Sequence, residues 1–207
     1  MKMLIEKLES RMFLSATFSS TAVADLSALV SDAQSVKASF VQYLPTLNAD
    51  LAAVRSDLVG TGAHNAVLSA KLHVDDVRSY LVLKSAVTAF GNIEGGVGRK
   101  VIADGLRLLA HPDNSTYQSR VTYDAANFST PGTQVLNAFG PAAAASSAQA
   151  GADLAEISAA NPSNTALATD INSVTTTGSA FVNAMQAGTQ AIEADLTKLV
   201  NDISMGA

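Results

Sequence analysis

The sequence predicts an all-α fold, an elongated and mostly antiparallel bundle of four to six helices. Two stripes of apolar residues at alternating three- and four-residue steps carry that expectation. The first is Val23, Leu26, Val30, Ala33, Phe40, Leu44, Leu47, Leu51, Val54 and Leu58; the second is Leu167, Ile171, Val174, Gly178, Phe181, Met185, Ile192, Leu196, Leu199 and Ile203. That spacing keeps side chains on one face of a helix, whereas a strand alternates every two residues. The third observation is composition: hydrophobic residues are 48% of the chain, aromatics only 5%, and Trp is absent. A core of small and aliphatic side chains suits closely packed helices rather than an aromatic-lined pocket.

The first stripe defines a helix from Thr21 to about Val59, with Ser20 or Thr21 placed to cap its start and Gly60-Thr61-Gly62 to end it. Pro45 lies inside. Proline in a helix interior costs about 3 kcal/mol, yet the stripe passes through it in phase, so one kinked helix is expected rather than two. Lys37 is the charged step in the stripe and marks where the seam reaches water or meets a partner. A helix of about 37 residues would span about 55 Å, the reason for expecting an elongated shape with the first and last helices longest.

Residues 63–90 predict a second helix. Val67, Leu68, Leu72, Val74, Val77, Leu81, Val82, Val87 and Phe90 cover more than one face, the mark of a central, well-buried element. A turn at Gly91-Asn92 is expected before a third segment, 93–110, weakened by Gly95, Gly96, Gly98 and Gly105 at roughly 1 kcal/mol each. His111-Pro112-Asp113-Asn114-Ser115 reads as a loop. A short helical or irregular stretch then leads to Phe128, and Ser129 or Thr130 caps a helix with Pro131 in its first turn, running along Leu136, Phe139, Ala143, Ala150, Leu154 and Ile157. Asn161-Pro162-Ser163-Asn164 is a turn, and the second stripe forms the last helix, to about Ser204. The domain reading is a tail at residues 1–20 and one domain at 21–207, with a sub-boundary near 111–116.

Charge narrows the partners. The net charge is −5, and a single cation, Lys198, lies beyond residue 124. Nucleic-acid binding draws on clustered Lys and Arg, so nucleic acid is not an expected partner. There is no Cys, which excludes disulfides, thiolate catalysis and Cys-ligated metals. The glycines at 91, 95, 96 and 98 ahead of Arg99-Lys100 lack the spacing of a phosphate-binding loop. His64 and His73 fall on opposite faces of one helix, and His73, Asp75 and Asp76 read as solvated polar positions. No Glu-x-x-His pair and no G-x-S-x-G elbow occurs. No cofactor and no catalytic, cofactor-binding or metal site is assigned, and the chain is read as more a non-enzyme than an enzyme. The uncharged stretches 125–152 and 171–192, the latter with Ala180, Ala184 and Gly188 at four-residue steps, raise membrane contact as an alternative. Their Asn, Gln, Ser and Thr content disfavours a bilayer span.

At the N-terminus, Lys2, Lys7 and Arg11 precede a short apolar patch, and Ala22-Val23-Ala24 has the small-x-small pattern of a cleavage site, which leaves open whether residues 1–24 are removed. The nine residues from Leu8 to Ala16, LESRMFLSA, resemble the LEPR-xLL motif found near the N-terminus of many large surface or secreted proteins of planctomycetes and related bacteria. Leu8, Glu9, Arg11, Leu14, Ser15 and Ala16 agree with it; Ser10 stands where the family has proline and Phe13 where it has leucine. The resemblance implies a sorting motif and an envelope or extracellular address, with a cytoplasmic location as the alternative. The functional expectation is a non-catalytic structural or interaction bundle whose partner is another protein or a second copy. A membrane-active or pore-forming helical protein, and an enzyme with an unrecognised site, are the alternatives.

Overall fold

The computed structural model describes residues 19–59 and 61–205, apart from the side chains of 76, 83, 85–97, 204 and 205. Residues 8–16, which resemble the LEPR-xLL motif, lie outside the described residues. Among the described residues the chain forms four helices and no strand: α1 (Ser20–Leu58), α2 (Ala63–Ala110), α3 (Ser115–Ala160) and α4 (Thr165–Met205). The all-α helical bundle is what the two stripes require. The middle helices, at 48 and 46 residues, are the longest, exceeding the outer pair at 39 and 41, the reverse of the expected order.

Each helix start has its own cap. Ser19 Oγ, one residue ahead of the expected capping position, accepts the Ala22 N–H at 3.0 Å. Asn114 Oδ1 accepts the N–H groups of Thr116 and Tyr117, and Asn164 Oδ1 that of Leu167. Between α1 and α2 the backbone turns through Gly62, whose φ of 116° is disfavoured for any side chain. Its carbonyl accepts the Ala66 N–H and so opens α2.

Two expected breaks are absent. The backbone is helical through Gly91-Asn92, making 63–110 one helix, and helical from Ser115 through Pro131 and Pro141, making 115–160 another. Tertiary anchoring overrides the local propensities. In α2, Leu68 and Leu72 are buried on one side of the glycines and Val101 and Leu108 on the other; in α3, Val121 and Phe128 are buried before Pro131 and Leu136 after it. Pro45 is likewise inside α1. Each proline frees the carbonyl four residues back, and these belong to Val41, Asn127 and Asn137, on exposed or half-exposed positions where water can reach.

The chain forms two compact units, and every helix contributes a segment to each. Of the described residues, the first takes 19–35, Thr88–Leu136 and 188–205; the second takes Val36–Val87, without residue 60, and Asn137–Ala187. The 111–114 turn falls within the first unit, while the divisions between units fall inside helices. In the first unit Leu26, Leu29, Val101, Leu108, Phe128, Leu196 and Leu199 are buried. Gly105 lets α2 approach α1 closely: a methyl group there would stand 2.9 Å from Leu26 Cδ1. In the second unit Leu51, Val54, Leu58, Leu68, Leu72, Leu154, Ile157, Leu167 and Val174 form one apolar cluster drawn from all four helices. A neighbouring cluster joins Phe139, Ala143, Phe181 and Met185, with Phe40 and Phe181 edge to face at 6.0 Å between ring centres. Lys37 is exposed, so the α1 seam reaches water there.

Candidate functional site

Polar pairs tie the helices of the second unit together at matched heights. Asn65 Nδ2 donates to Asn161 Oδ1 at 2.8 Å, and Asn161 Nδ2 returns a bond to Asn65 Oδ1 at 3.1 Å. Lys71 Nζ meets Glu156 Oε2 at 2.7 Å, and the Ser79 and Ser146 hydroxyls lie 2.7 Å apart. As numbers rise along α2 they fall along α3, which fixes the pair as antiparallel. Thr177 Oγ1 donating to Asp50 Oδ2 at 2.8 Å joins α4 to α1 in the same unit.

Two opposed stripes run along α2 here. The inward one is Asn65, Leu68, Leu72, Asp75, Ser79 and Val82, all buried or half-buried. Two residues further on, and so about 200° around the helix, lies Val67, Ala70, Val74, Val77 and Leu81. This outer stripe is wholly apolar, and it is exposed: Val67 to 57%, Val74 to 54%, Val77 to 43% and Leu81 to 54%. The expected central, all-round burial of α2 is therefore corrected. The inward face sets Asn65, Asp75 and Ser79 among Leu68, Leu72 and Val82, and the outward side carries the apolar stripe between the exposed His64, Lys71, His73, Arg78 and Lys84.

The inward stripe opens onto a cavity of about 210 Å³. Its walls come from all four helices: Leu47 and Leu51 of α1, Leu72, Asp75 and Ser79 of α2, Phe139 and Ser146 of α3, and Val174, Gly178, Phe181 and Met185 of α4. No histidine and no lysine is among the lining residues. Asp75, read from the sequence as a solvated position, is only 3% exposed. Its phase with Leu68 and Leu72 carries it inward. Asp75 Oδ2 is buried and no donor reaches it, and the Asp153 carboxyl of α3 lies beside the Asp75 carboxyl. Arg78 approaches the other oxygen, Oδ1, at 3.6 Å from an exposed position, and Gln149 Nε2 donates to Asp153 Oδ1 at 3.3 Å. Burial first, and the Asp153 carboxyl second, push the Asp75 pKa up to about 6. The Asp57 Oδ2 oxygen is also buried without a donor, away from the cavity lining.

The same device recurs in the first unit. Asp25 faces Asp202 and Asp32 faces Asp195, both between α1 and α4, while Asp124 of α3 faces Asp104 of α2. Desolvation and the facing carboxyl raise the pKa of Asp25, Asp32 and Asp124. Basic side chains attend from the surface: Lys198 Nζ lies 3.0 Å from Asp195 Oδ1, and Arg107 pairs with Asp104.

Of the other polar residues weighed from sequence, His73 Nδ1 lies 3.2 Å from Arg55 Nη1 on an exposed surface, and His64 is exposed. Among the described residues no group of three or more metal-ligating side chains converges. None of their helices is long and apolar enough to cross a membrane. Ala180, Ala184 and Gly188 are half-buried in the bundle. No protein-family model, curated protein or solved structure matches the chain.

Proposed function

We propose that the protein is a non-catalytic structural or interaction module that associates with a second copy of itself through the outer face of α2. The exposed stripe from Val67 to Leu81 carries this reading. Its three- and four-residue steps are those of a seam that another helix covers, and a contiguous apolar face of this kind marks an interaction site. The cations flanking it, Lys71 and Arg78, are matched within their own subunit by Glu156 and Asp75. Between Val67 and Leu81 the seam therefore gives an oppositely charged partner little to select, and Lys84 at its end lies over the Tyr80 ring, 5.9 Å from its centre. The seam is about 21 Å long, short beside a standard interface, so association depends on concentration.

The N-terminal resemblance supports placing this module at the cell envelope or exterior. Fractionating cells and sequencing the mature N-terminus tests the location; a chain confined to the cytoplasm overturns it. Sedimentation velocity over a rising concentration series tests the association, with a shift from monomer to dimer expected. Val74→Lys with Leu81→Lys, both at exposed positions, should abolish that shift while leaving the helical circular dichroism unchanged. A monomer at every concentration, or a dimer that survives the double substitution, refutes the α2 seam.

A further inference from the structure

We infer that the cavity of the second unit is a binding site for a small uncharged apolar molecule, about the size of a substituted benzene ring. The size follows from the space. A dry apolar cavity of roughly 150 Å³ holds a benzene ring, so about 210 Å³ takes a molecule of roughly eight non-hydrogen atoms.

The walls are fixed where they are large and short where they are small. Phe181 is backed by Phe40 and Tyr43, whose ring centres lie 6.0 and 5.9 Å from its own and which do not themselves line the cavity. Phe139 and Met185 pack in the same buried cluster. Ala143, Ala150 and Gly178 complete the wall with side chains too short to reach across it. A Cβ added at Gly178 would come no nearer than 3.8 Å to Leu47 Cδ1. The rim carries exposed residues, Tyr80 of α2, Ser147 and Gly151 of α3, and Thr175 and Ser179 of α4. A Cβ at Gly151 would meet nothing within 4 Å, so that part of the rim is open to an entering molecule.

The neutral character follows from the polar groups in the wall. The Ser79 and Ser146 hydroxyls are bonded to each other at 2.7 Å, and Thr175 Oγ1 donates to the Ile171 carbonyl at 2.9 Å. Asp75 Oδ2 is buried and presents no surface to the cavity. No histidine, lysine or arginine is among the lining residues. A charged group entering here would give up its water and gain no partner of opposite sign, whereas an uncharged apolar molecule leaves each of these bonds intact. An apolar wall with few polar groups is the usual make-up of a small-molecule site.

NMR titration of the full chain with ethylbenzene, 2-phenylethylamine and phenylacetate, followed at the signals of Phe139, Phe181 and Met185, tests the site. The three probes share a benzene ring and a two-carbon arm and differ in charge. At pH 7.5, saturable binding of one ethylbenzene per chain is expected, with each charged compound at least about tenfold weaker. Ala143→Leu, whose added carbons occupy the cavity, should abolish ethylbenzene binding while the helical circular dichroism is retained. Gly178→Ala, which adds one methyl group in ordinary contact with Leu47, should weaken binding about threefold or more. No saturable shift of the three signals with ethylbenzene, or a charged compound that binds as tightly, overturns the inference. So does ethylbenzene binding that survives in folded Ala143→Leu; where that variant does not fold, undiminished binding by Gly178→Ala overturns it instead.

Discussion

At the scale of single residues, Asp75 shows how position in the helical repeat outweighs chemical type. Read as one of three neighbouring polar residues it belongs in water; read by its spacing from Leu68 and Leu72 it belongs inside, and there it lies. The phase was visible in the sequence. Its partner was not, because Asp153 is 78 positions away and only the antiparallel pairing of α2 with α3 brings the two carboxyls together. The raised pKa sets the sign of the pH dependence. A carboxyl that ionises less readily folded than unfolded favours the folded state in its protonated form, so its cost is absent below pH 3.8 and fully present above about pH 6. Thermal stability should therefore rise as pH is lowered from 7 to 5. Asp75→Asn, which keeps the shape and removes the charge, should stabilise the protein at pH 7 by on the order of 2 kcal/mol and flatten that rise. Scanning calorimetry of the two proteins at pH 5 and pH 7 is the check.

At the scale of elements, the helices outrun their punctuation. Both apolar stripes and both Asn-containing turns could be read directly, since periodicity and capping are local. The continuity of α2 past Gly91 and of α3 past Pro131 could not, because it depends on both ends of each helix being anchored in a core. Pro45 offers a measure of what such a break costs when the freed carbonyl faces water. Pro45→Ala restores the missing hydrogen bond at an exposed position, and a gain of about 1 kcal/mol in chemical denaturation is expected, below the full interior-proline penalty. Gly105 works in the other direction. There a methyl group meets the buried Leu26 side chain, so Gly105→Ala should destabilise by about 1–3 kcal/mol despite alanine's better helix propensity.

For the whole molecule, the sequence revealed the fold class and left the exposed apolar stripe of α2 hidden. Hydrophobicity alone placed Val67, Val74, Val77 and Leu81 in the core, whereas the inward positions hold Leu68, Leu72 and Val82 together with Asn65, Asp75 and Ser79 and those four lie outside. Nothing in composition distinguishes an apolar stripe that is buried from one that faces solvent. The facing carboxyls also bear on a bulk property. Asp25, Asp32, Asp75 and Asp124 all hold protons to a higher pH when folded than when unfolded. The native chain is thus less negative near pH 5 than its amino-acid content implies, and that content places its isoelectric point at about 5.0. In isoelectric focusing, the native protein should form its band at a higher pH than the same chain in concentrated urea; coincident bands would mean that the carboxyl pairs ionise in the fold as freely as they do in water.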